Sequence, residues 1–390
     1  MRARSSDPTF LDALVREKRV IVCCGAGGVG KTTTAAALAI AGAQAGRRAV
    51  VLTIDPARRL AEAMGLSPER CSRPVAVPRE RLVEVGVAGA GALHAWMLSP
   101  RDVVEDLVRR LSANEQQVER IRSNRLYQHF SEMVIGLQEY TAGEALHMVT
   151  ADGDYDLVIL DTPPSRNALD FLDAPRKLSV LLDEKVIGLF LPPTGPPRFW
   201  GGVVKLIQKV FTTVFGRAFF RELQEFLESI AHMFHQIRAH AEEVRTLLTS
   251  AESAFLLVTS ADPAALAEAE FFRGKLGALE LPLHGYVLNR SWAFTRGLVM
   301  PADIPLAADA PAPLRTGHEK LSRLAAAERQ WAQRDRELLA ALRAGMPGGQ
   351  ALATPHIGDA IESLEGLARL AENLVLPSTG RWEHEGHASA

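Results

Sequence analysis

The sequence predicts an α/β fold, in which a doubly wound, mostly parallel sheet carries an inserted helical subdomain. Short apolar runs without polar alternation recur along the chain, and this pattern is typical of strands that are buried on both faces. Helix-forming segments separate these runs. Two longer helical regions then interrupt the alternation, and they contain more chain than one crossover between parallel strands needs. We expect them to form a subdomain mounted on the sheet.

The predicted strands are apolar runs bounded by turn-forming residues. In chain order they span residues 19–24, 49–55, 82–87, 155–161, 254–260 and 284–290. Helical patterns follow the first and the fifth of these runs, at residues 32–46 and 263–279. This order of strand and helix favours parallel pairing, because a parallel connection must cross back over the sheet.

Composition and cysteine content limit the classes of function. The chain has 390 residues, 47% of them hydrophobic, and a formal net charge of -2, so it is neither a disordered protein nor one coated in basic residues for nucleic acid. Its three cysteines form no even set and no CxxC pair, which indicates a reducing cytoplasm. The apolar run at 186–193 is shorter than the ~20 residues of a membrane span. We therefore expect a cytoplasmic protein.

A glycine-rich loop follows the first predicted strand. Gly25, Gly30, Lys31 and Thr32 match the pattern G-x-x-x-x-G-K-[ST], and a strand before the loop and a helix after it provide the expected context. Such a P-loop turns its backbone N–H groups toward the phosphates of a nucleoside triphosphate, which also lie at the positive end of the following helix. The residues predicted to bind the nucleotide here are Gly25, Gly27, Gly28, Val29, Gly30, Lys31, Thr32 and Thr33.

Two aspartates end predicted strands and are candidates for chemistry beside this loop. Lys31 is the residue type that contacts the β- and γ-phosphates, and Thr32 with Asp161 has the oxygen ligands that Mg²⁺ prefers. Asp55 would orient or deprotonate the attacking water. Each aspartate has an alternative role: Asp161 would cap a turn, and Asp55 would cap a helix that begins at Pro56.

Three segments, GGVGKTT, TIDPARRL and LDTPPSRNALDFLDAP, resemble the P-loop, switch I and switch II of the ArsA-like ATPases. This family transports anions or targets tail-anchored proteins, and it belongs with MinD and ParA among dimeric P-loop ATPases. The similarity continues at residues 137–149, 286–290 and 353–371, and switch II is most similar to an actinobacterial branch. The family resemblance implies an ATPase that uses ATP and Mg²⁺.

The same resemblance implies roles for individual residues. Asp55 would position the water, Asp161 would serve Mg²⁺, Asn289 would read adenine, and Pro355 would form a wall of the base pocket. For Asn289 the alternative is an asparagine that forms a turn after a strand.

The residue at position 26 departs from the family pattern. Family members typically read KGGVGKT, and the first lysine crosses a two-fold interface to the nucleotide of the facing subunit, whereas this chain has Ala26. A homodimer would then lack both cations and hydrolyse ATP slowly. A heterodimer with a lysine-bearing paralogue would keep one active site. Arg58 and Arg166 are candidate substitute cations.

Domain limits and partners complete these expectations. We expect one ArsA-like domain over 1–376, with a nucleotide-binding core at 15–91, 150–168 and 250–376, a helical subdomain at 92–149 and 169–249, and a disordered tail at 377–390. The missing CxxC argues against a zinc-bridged homodimer, and the scattered cysteines argue against arsenite. We expect no nucleic-acid partner.

The function of the segment 203–237 is open, because its apolar residues have helical spacing and lysines and arginines are interleaved with them. It would bind a hydrophobic client or a membrane protein, or it would touch an anionic lipid surface, or it would pack within its own fold or against the partner subunit. Two other functions also remain open: a regulatory subunit that binds nucleotide with little hydrolysis, and a MinD/ParA-like positioning ATPase.

Overall fold

An eight-stranded sheet lies at the centre of the computed structural model, with strand order β3-β4-β2-β5-β1-β6-β7-β8. The strands are β1 Val20–Cys24, β2 Arg48–Thr53, β3 Val75–Ala76, β4 Ala92–Met97, β5 Leu157–Asp161, β6 Ser253–Thr259, β7 Leu283–Ser291 and β8 Ala351–Pro355. Their pairings are parallel except that of β3 with β4. The structure describes residues 8–53, 59–67, 73–124, 126–127, 138–163, 209–210, 212–213, 216–294, 301–307, 309–346, 348–355 and 363–376.

Helices cover both faces of the sheet. They are α1 Phe10–Glu17, α2 Lys31–Gln44, α3 Arg59–Ala63, α4 Arg79–Glu84, α5 Pro100–Leu111, α6 Glu115–Ser123, α7 Gln138–Ala151, α8 Arg217–Thr249, α9 Pro263–Ala278, α10 Ala312–Ala344 and α11 Leu364–Val375. None of the helices within the described ranges combines the length and the apolar composition that crossing a bilayer requires.

The central strand β1 shows how the sheet divides the core. Ile21 and Cys23 point to one face, where α1, α2 and α11 pack against the sheet. Val20, Val22 and Cys24 point to the other face, where α7, α8 and α9 pack. Every residue of β1 is buried, because alternate side chains of a strand enter opposite layers and both layers are covered. The prediction of a doubly wound, mostly parallel α/β sheet is confirmed.

Five of the six predicted strands correspond to β1, β2, β5, β6 and β7. The prediction of a strand at 82–87 is wrong, because these residues lie in α4 and the turn after it. Leu82 and Val85 are buried whereas Val83 is 59% exposed, which is the spacing of a helix with one apolar face.

The predicted start of the helical region at residue 92 is also wrong. Residues 92–97 form β4, which pairs with β2 inside the sheet, and the helices begin only with α5 at Pro100. Ser99 caps α5 by accepting a hydrogen bond from the N–H of Asp102. The small residues at 88–92 and the polar His94 break the continuous apolar run by which a buried strand is predicted. The remaining domain limits stay predictions, and residues 164–208 and 377–390 lie outside the described ranges.

The described part of the segment 203–237 packs within the helical region. Phe226 and Met233 of α8 are buried against Val108, Val118 and Ile121 of α5 and α6. Contact with its own fold therefore accounts for this portion of the apolar face. Several members of the pattern, including Ile207, Phe211 and Val214, lie outside the described residues.

Candidate active site

The P-loop connects β1 to α2 and closes onto the neighbouring strand β6. Gly25 has φ +149°, and a Cβ atom at this position would lie 2.1 Å from the backbone oxygen of Val258. Any larger residue would push the loop away from β6. The loop therefore begins in a fixed place, at the carboxyl edge of the sheet between β5 and β6, where α/β proteins bind ligands.

The tip of the loop and the start of α2 face outward. Gly27 and Gly28 are exposed, whereas Val29 is buried beneath them. Gly30 is the N-cap of α2 with φ +92°, and no side chain caps the helix. The first turn of α2 contains no acidic residue, so its N–H groups and the helix dipole are suited to an anion.

Lys31 lies across the loop that precedes it. Its ammonium group donates a 2.7 Å hydrogen bond to the backbone oxygen of Ala26, and the residue is only 6% exposed. Ala26 itself is partly buried and packs against the core beneath the loop. Position 26 therefore presents a backbone oxygen and a methyl group at this site, and no side-chain cation.

Asp161, at the end of β5, joins two hydroxyl groups. Its Oδ2 accepts a 2.6 Å hydrogen bond from Thr32 and a 2.9 Å hydrogen bond from Thr53. The carboxylate is 1% exposed. A carboxylate and a hydroxyl oxygen side by side at the loop are hard oxygen donors of the kind Mg²⁺ takes, so this donor set fits the ion. Thr32 and Asp161, predicted together from sequence, are adjacent in the structure.

The chain that leaves β5 is held to β1. Thr162 donates a 2.9 Å hydrogen bond from its hydroxyl to the backbone oxygen of Cys23. Arg166 in the following segment lies outside the described residues, as do Asp55 and Arg58. Thr53 is the last residue of β2, so the segment that contains Asp55 starts beside Asp161.

Asn289 is tied to the P-loop from the other side. Its Nδ2 donates a 2.8 Å hydrogen bond to the backbone oxygen of Val29, and its Oδ1 accepts a 2.6 Å hydrogen bond from Thr354. Pro355 ends β8, is buried, and pairs with Ser291 of β7. Asn289 and Pro355 are therefore close to one another, on the side of the loop opposite Asp161.

The two thiols beside the loop are inert. Cys23 and Cys24 are both buried, and burial raises the pKa of Cys24 to about 12 and that of Cys23 well above its usual value. A protonated, buried thiol is a poor ligand for a soft metal or metalloid. Cys71 lies outside the described residues. These two cysteines give no support to an arsenite site.

Two threonines that the sequence analysis did not single out contribute to this site. Thr53 contacts Asp161, and Thr354 contacts Asn289. The signal for Thr53 was its position at the end of a predicted strand, two residues before Asp55. For Thr354 the adjacent Pro355 was a weaker signal, because β8 itself was not predicted.

Comparisons with known proteins agree with this arrangement. The model of the family described as anion-transporting ATPase matches residues 18–295. The ATPase get3 of Aspergillus terreus is 24% identical over 286 residues, which are 72% of this chain and 76% of the relative. For the ATPase get3 of Schizosaccharomyces pombe the identity is 24% over 267 residues, 68% of this chain and 71% of that protein.

Some matches are shorter. The ATPase get3 of Schizosaccharomyces japonicus is 28% identical over 165 residues, which cover 42% of this chain and 46% of the relative, or about half its length. The family match, however, spans more than half of the chain and includes the P-loop, Asp161 and Asn289. The chain therefore belongs to the anion-transporting ATPase family, the ArsA ATPases.

Proposed function

We propose that this chain binds ATP with Mg²⁺ at the P-loop and hydrolyses it as one subunit of a dimer whose shape depends on the nucleotide. The observation that carries the proposal is the 2.6 Å contact between the Thr32 hydroxyl and the Asp161 carboxylate. It places two oxygen donors for a metal ion beside a glycine loop and the uncapped N-terminus of α2. These parts are the ones that a P-loop NTPase uses to hold a metal-bound triphosphate.

The catalytic roles follow from these positions. The loop N–H groups and the start of α2 hold the phosphates, and Lys31 exchanges its Ala26 contact for the β- and γ-phosphates. Thr32 and Asp161 hold Mg²⁺, which when bound supplies positive charge against the phosphate oxygens. Asp55 orients the water for in-line attack, and the end of β2 at Thr53 beside Asp161 supports this role.

The base is proposed to lie between Asn289 and Pro355. Pro355 ends β8 and Asn289 lies two residues before the end of β7, and these neighbouring strands are on the side of the loop away from Asp161. Asn289 already uses both ends of its amide, toward Val29 and Thr354. An amide nitrogen has two hydrogens and an amide oxygen has two lone pairs. One hydrogen and one lone pair of Asn289 therefore remain to form hydrogen bonds with adenine.

The alanine at position 26 determines which kind of dimer we expect to hydrolyse ATP. It provides no ammonium group to a facing subunit, and a cation supplied in trans is worth roughly 10³-fold or more in rate in related NTPases. We therefore propose a heterodimer with a paralogue that keeps the lysine, so that this chain's own site is completed by the partner. The site of the paralogue, which faces Ala26, would be the slow one.

The test is an ATPase assay of three samples: the lone chain, its Ala26→Lys variant, and the chain mixed with a lysine-bearing paralogue. We expect slow turnover by the lone chain and faster turnover in the other two samples. Lys31→Ala in this chain is the control, and it should remove the gain in the mixture because that gain arises at this chain's site. Equal rates for the lone chain and Ala26→Lys would refute the role given to position 26.

Ala26 also favours a second function, that of a regulatory subunit that binds ATP without turning it over. In that case calorimetry would show uptake of ATP with Mg²⁺, while phosphate release would stay at background in the mixture as well. Phosphate release by the chain mixed with the paralogue therefore distinguishes the two functions. In both, the signal leaves the site through Thr162, which is bonded to β1 and begins the segment after β5.

A further inference from the structure

Four side chains form a cluster between α7 and α8. None of them has a role in the proposed hydrolysis of ATP. They are Glu144 and His147 of α7 with His240 and Glu243 of α8. His240 Nδ1 lies 2.8 Å from Glu144 Oε1, and His147 Nε2 lies 3.0 Å from Glu243 Oε2. The two imidazole rings stack with centroids 3.7 Å apart and planes 12° from parallel.

The spacing in sequence explains how the cluster forms. Glu144 and His147 are three residues apart on α7, and His240 and Glu243 are three residues apart on α8, so each pair shares one helix face. The α7 pair has the order Glu-x-x-His, which metal sites of helical bundles use, whereas the α8 pair has the reverse order, His-x-x-Glu. Ligand atoms of Glu144, His147 and His240 all lie within 4.8 Å of one another.

Charge and burial favour a cation in this place. Glu144 is 5% exposed, and a buried carboxylate is costly unless a positive charge compensates it. His147 stacks on His240, and its Nε2 lies 3.0 Å from Glu243, so two imidazole rings and two carboxylates meet between the helices. A divalent ion bound among them would compensate the negative charge of the carboxylates.

We propose that Glu144, His147 and His240 bind a divalent transition-metal ion, for which Zn²⁺ is the best fit. Two imidazole nitrogens and one carboxylate oxygen are a donor set that suits Zn²⁺, with a fourth position for water. Glu243, whose side chain is 68% exposed, is a positioning residue that orients the ring of His147. The site is separate from the P-loop, and it uses no cysteine.

The ion would join two helices that support different strands. α7 precedes β5, which ends at Asp161, and α8 runs directly into β6. Both helices also contribute to the same core layer against the sheet, through residues such as Leu146 and Leu248. A metal ion between them would strengthen the junction of the helical region with the sheet, independently of whether ATP is bound or hydrolysed.

The experiment measures Zn²⁺ binding by calorimetry to the full chain after treatment with a chelator. His384 and His387 near the end of the chain are first replaced by alanine, so that they add no background binding. In this parent we expect one equivalent of Zn²⁺ and a rise in melting temperature when Zn²⁺ is added. Co²⁺ should give visible absorption bands of a four-coordinate site in the same protein.

Variants assign the site to the cluster. His240→Ala and Glu144→Gln should weaken Zn²⁺ binding at least about tenfold and abolish the rise in melting temperature. Glu243→Gln should have a smaller effect, since it removes an orienting group. His318→Ala, on α10 and outside the cluster, is the matched control and should bind like the parent. Circular dichroism checks that each variant is folded.

Two results would overturn the proposal. One is the absence of both Zn²⁺ binding and cobalt bands in the parent, which needs no variant to fold. The other is unchanged affinity in His240→Ala and Glu144→Gln, which would place the ion elsewhere. Either result would leave the cluster as a network of ion pairs that holds α7 against α8.

Discussion

The side-chain amide of Asn289 donates a hydrogen bond to the backbone oxygen of Val29, at 2.8 Å, and so fastens the P-loop to the end of β7. Thr354 of β8 holds the other end of the same amide at 2.6 Å. Three separate segments therefore meet at one buried side chain, which is 4% exposed. This relationship indicates that Asn289 shapes the loop whether or not it also reads the base.

Asn289→Ala is expected to weaken binding of ATP and of tripolyphosphate, which has no base, by several-fold each. The reason is that the carbonyl of Val29 loses a buried partner, at a cost of about 1–3 kcal/mol in folding free energy. Calorimetry in the presence of Mg²⁺ measures both affinities, and urea unfolding measures the stability.

Thr354→Val is the control for this variant, because it removes the contact with Oδ1 and leaves the bond to Val29 in place. It should reduce stability with little effect on tripolyphosphate. If Asn289→Ala loses only ATP binding and keeps tripolyphosphate affinity, Asn289 reads adenine without shaping the loop.

Gly30→Ala is expected to disrupt the P-loop. An added Cβ would lie 2.0 Å from Nδ2 of Asn289, and the backbone has φ +92°, which alanine adopts at a cost of about 1–2 kcal/mol. ATP binding, measured by calorimetry or fluorescence titration, should fall below detection at micromolar protein.

The matched control is Gly46→Ala, which has a similar φ of +85° and no atom within 4 Å of the added Cβ. It should lower stability by the same ~1–2 kcal/mol of backbone strain and leave ATP affinity unchanged. ATP affinity equal in Gly30→Ala and wild type would show that the closeness of Asn289 is unimportant for binding.

Asp161→Asn is expected to remove the dependence of ATP binding on Mg²⁺. The amide keeps the size of the carboxylate and an oxygen for Thr32, but it lacks the charge that holds the ion. Affinity for ATP with Mg²⁺ should fall about 10–100-fold, whereas affinity measured in EDTA should change little.

Thr53→Val is the comparison for this variant, since it removes a hydrogen bond to the same Oδ2 and keeps the carboxylate charge. It should retain most of the Mg²⁺ effect. A wild-type response to Mg²⁺ in Asp161→Asn would mean that the metal is held elsewhere.

Phe226→Ala is expected to destabilise the helical region, because this side chain of α8 is 6% exposed and packs against Val118 and Ile121 of α6. Removing a buried phenylalanine costs about 3–5 kcal/mol. Hydrogen exchange should speed up in α5, α6 and α8 while the strands remain protected. Phe271→Ala on α9, where the ring is 41% exposed, is the control and should cost less than half as much. Equal losses would contradict this packing.

The sequence was sufficient for the strands that are buried on both faces. An unbroken apolar run such as Val20–Cys24 has few other uses in a chain of this composition, and the P-loop pattern fixed its place before α2. The run at 82–87 has the composition of a strand but forms the end of α4 and a turn, because short apolar runs fit a helix and a strand about equally well. The choice between helix and strand depends on which of these side chains pack against the core. Packing, and not local sequence preference, decides that.

The site was predictable where its residues belong to motifs and unpredictable where it depends on contacts between distant segments. Thr32 and Asp161 were expected to share an ion, and they lie in contact. The contact of Asn289 with Val29 joins positions 260 residues apart, and no local pattern in either segment predicts that contact. The same holds for Glu144 and His240, which are 96 residues apart.

The complete burial of β1, β5 and β6 affects how surveys of substitutions in this protein should be interpreted. A polar or smaller residue at Ile159 or Phe255 is expected to reduce ATPase activity by lowering the amount of folded protein, although neither side chain would touch the nucleotide. Activity alone would then mark the strands and the P-loop as equally intolerant. Cellular abundance, scored beside turnover, would distinguish the residues that carry out the reaction from those that only keep the chain folded.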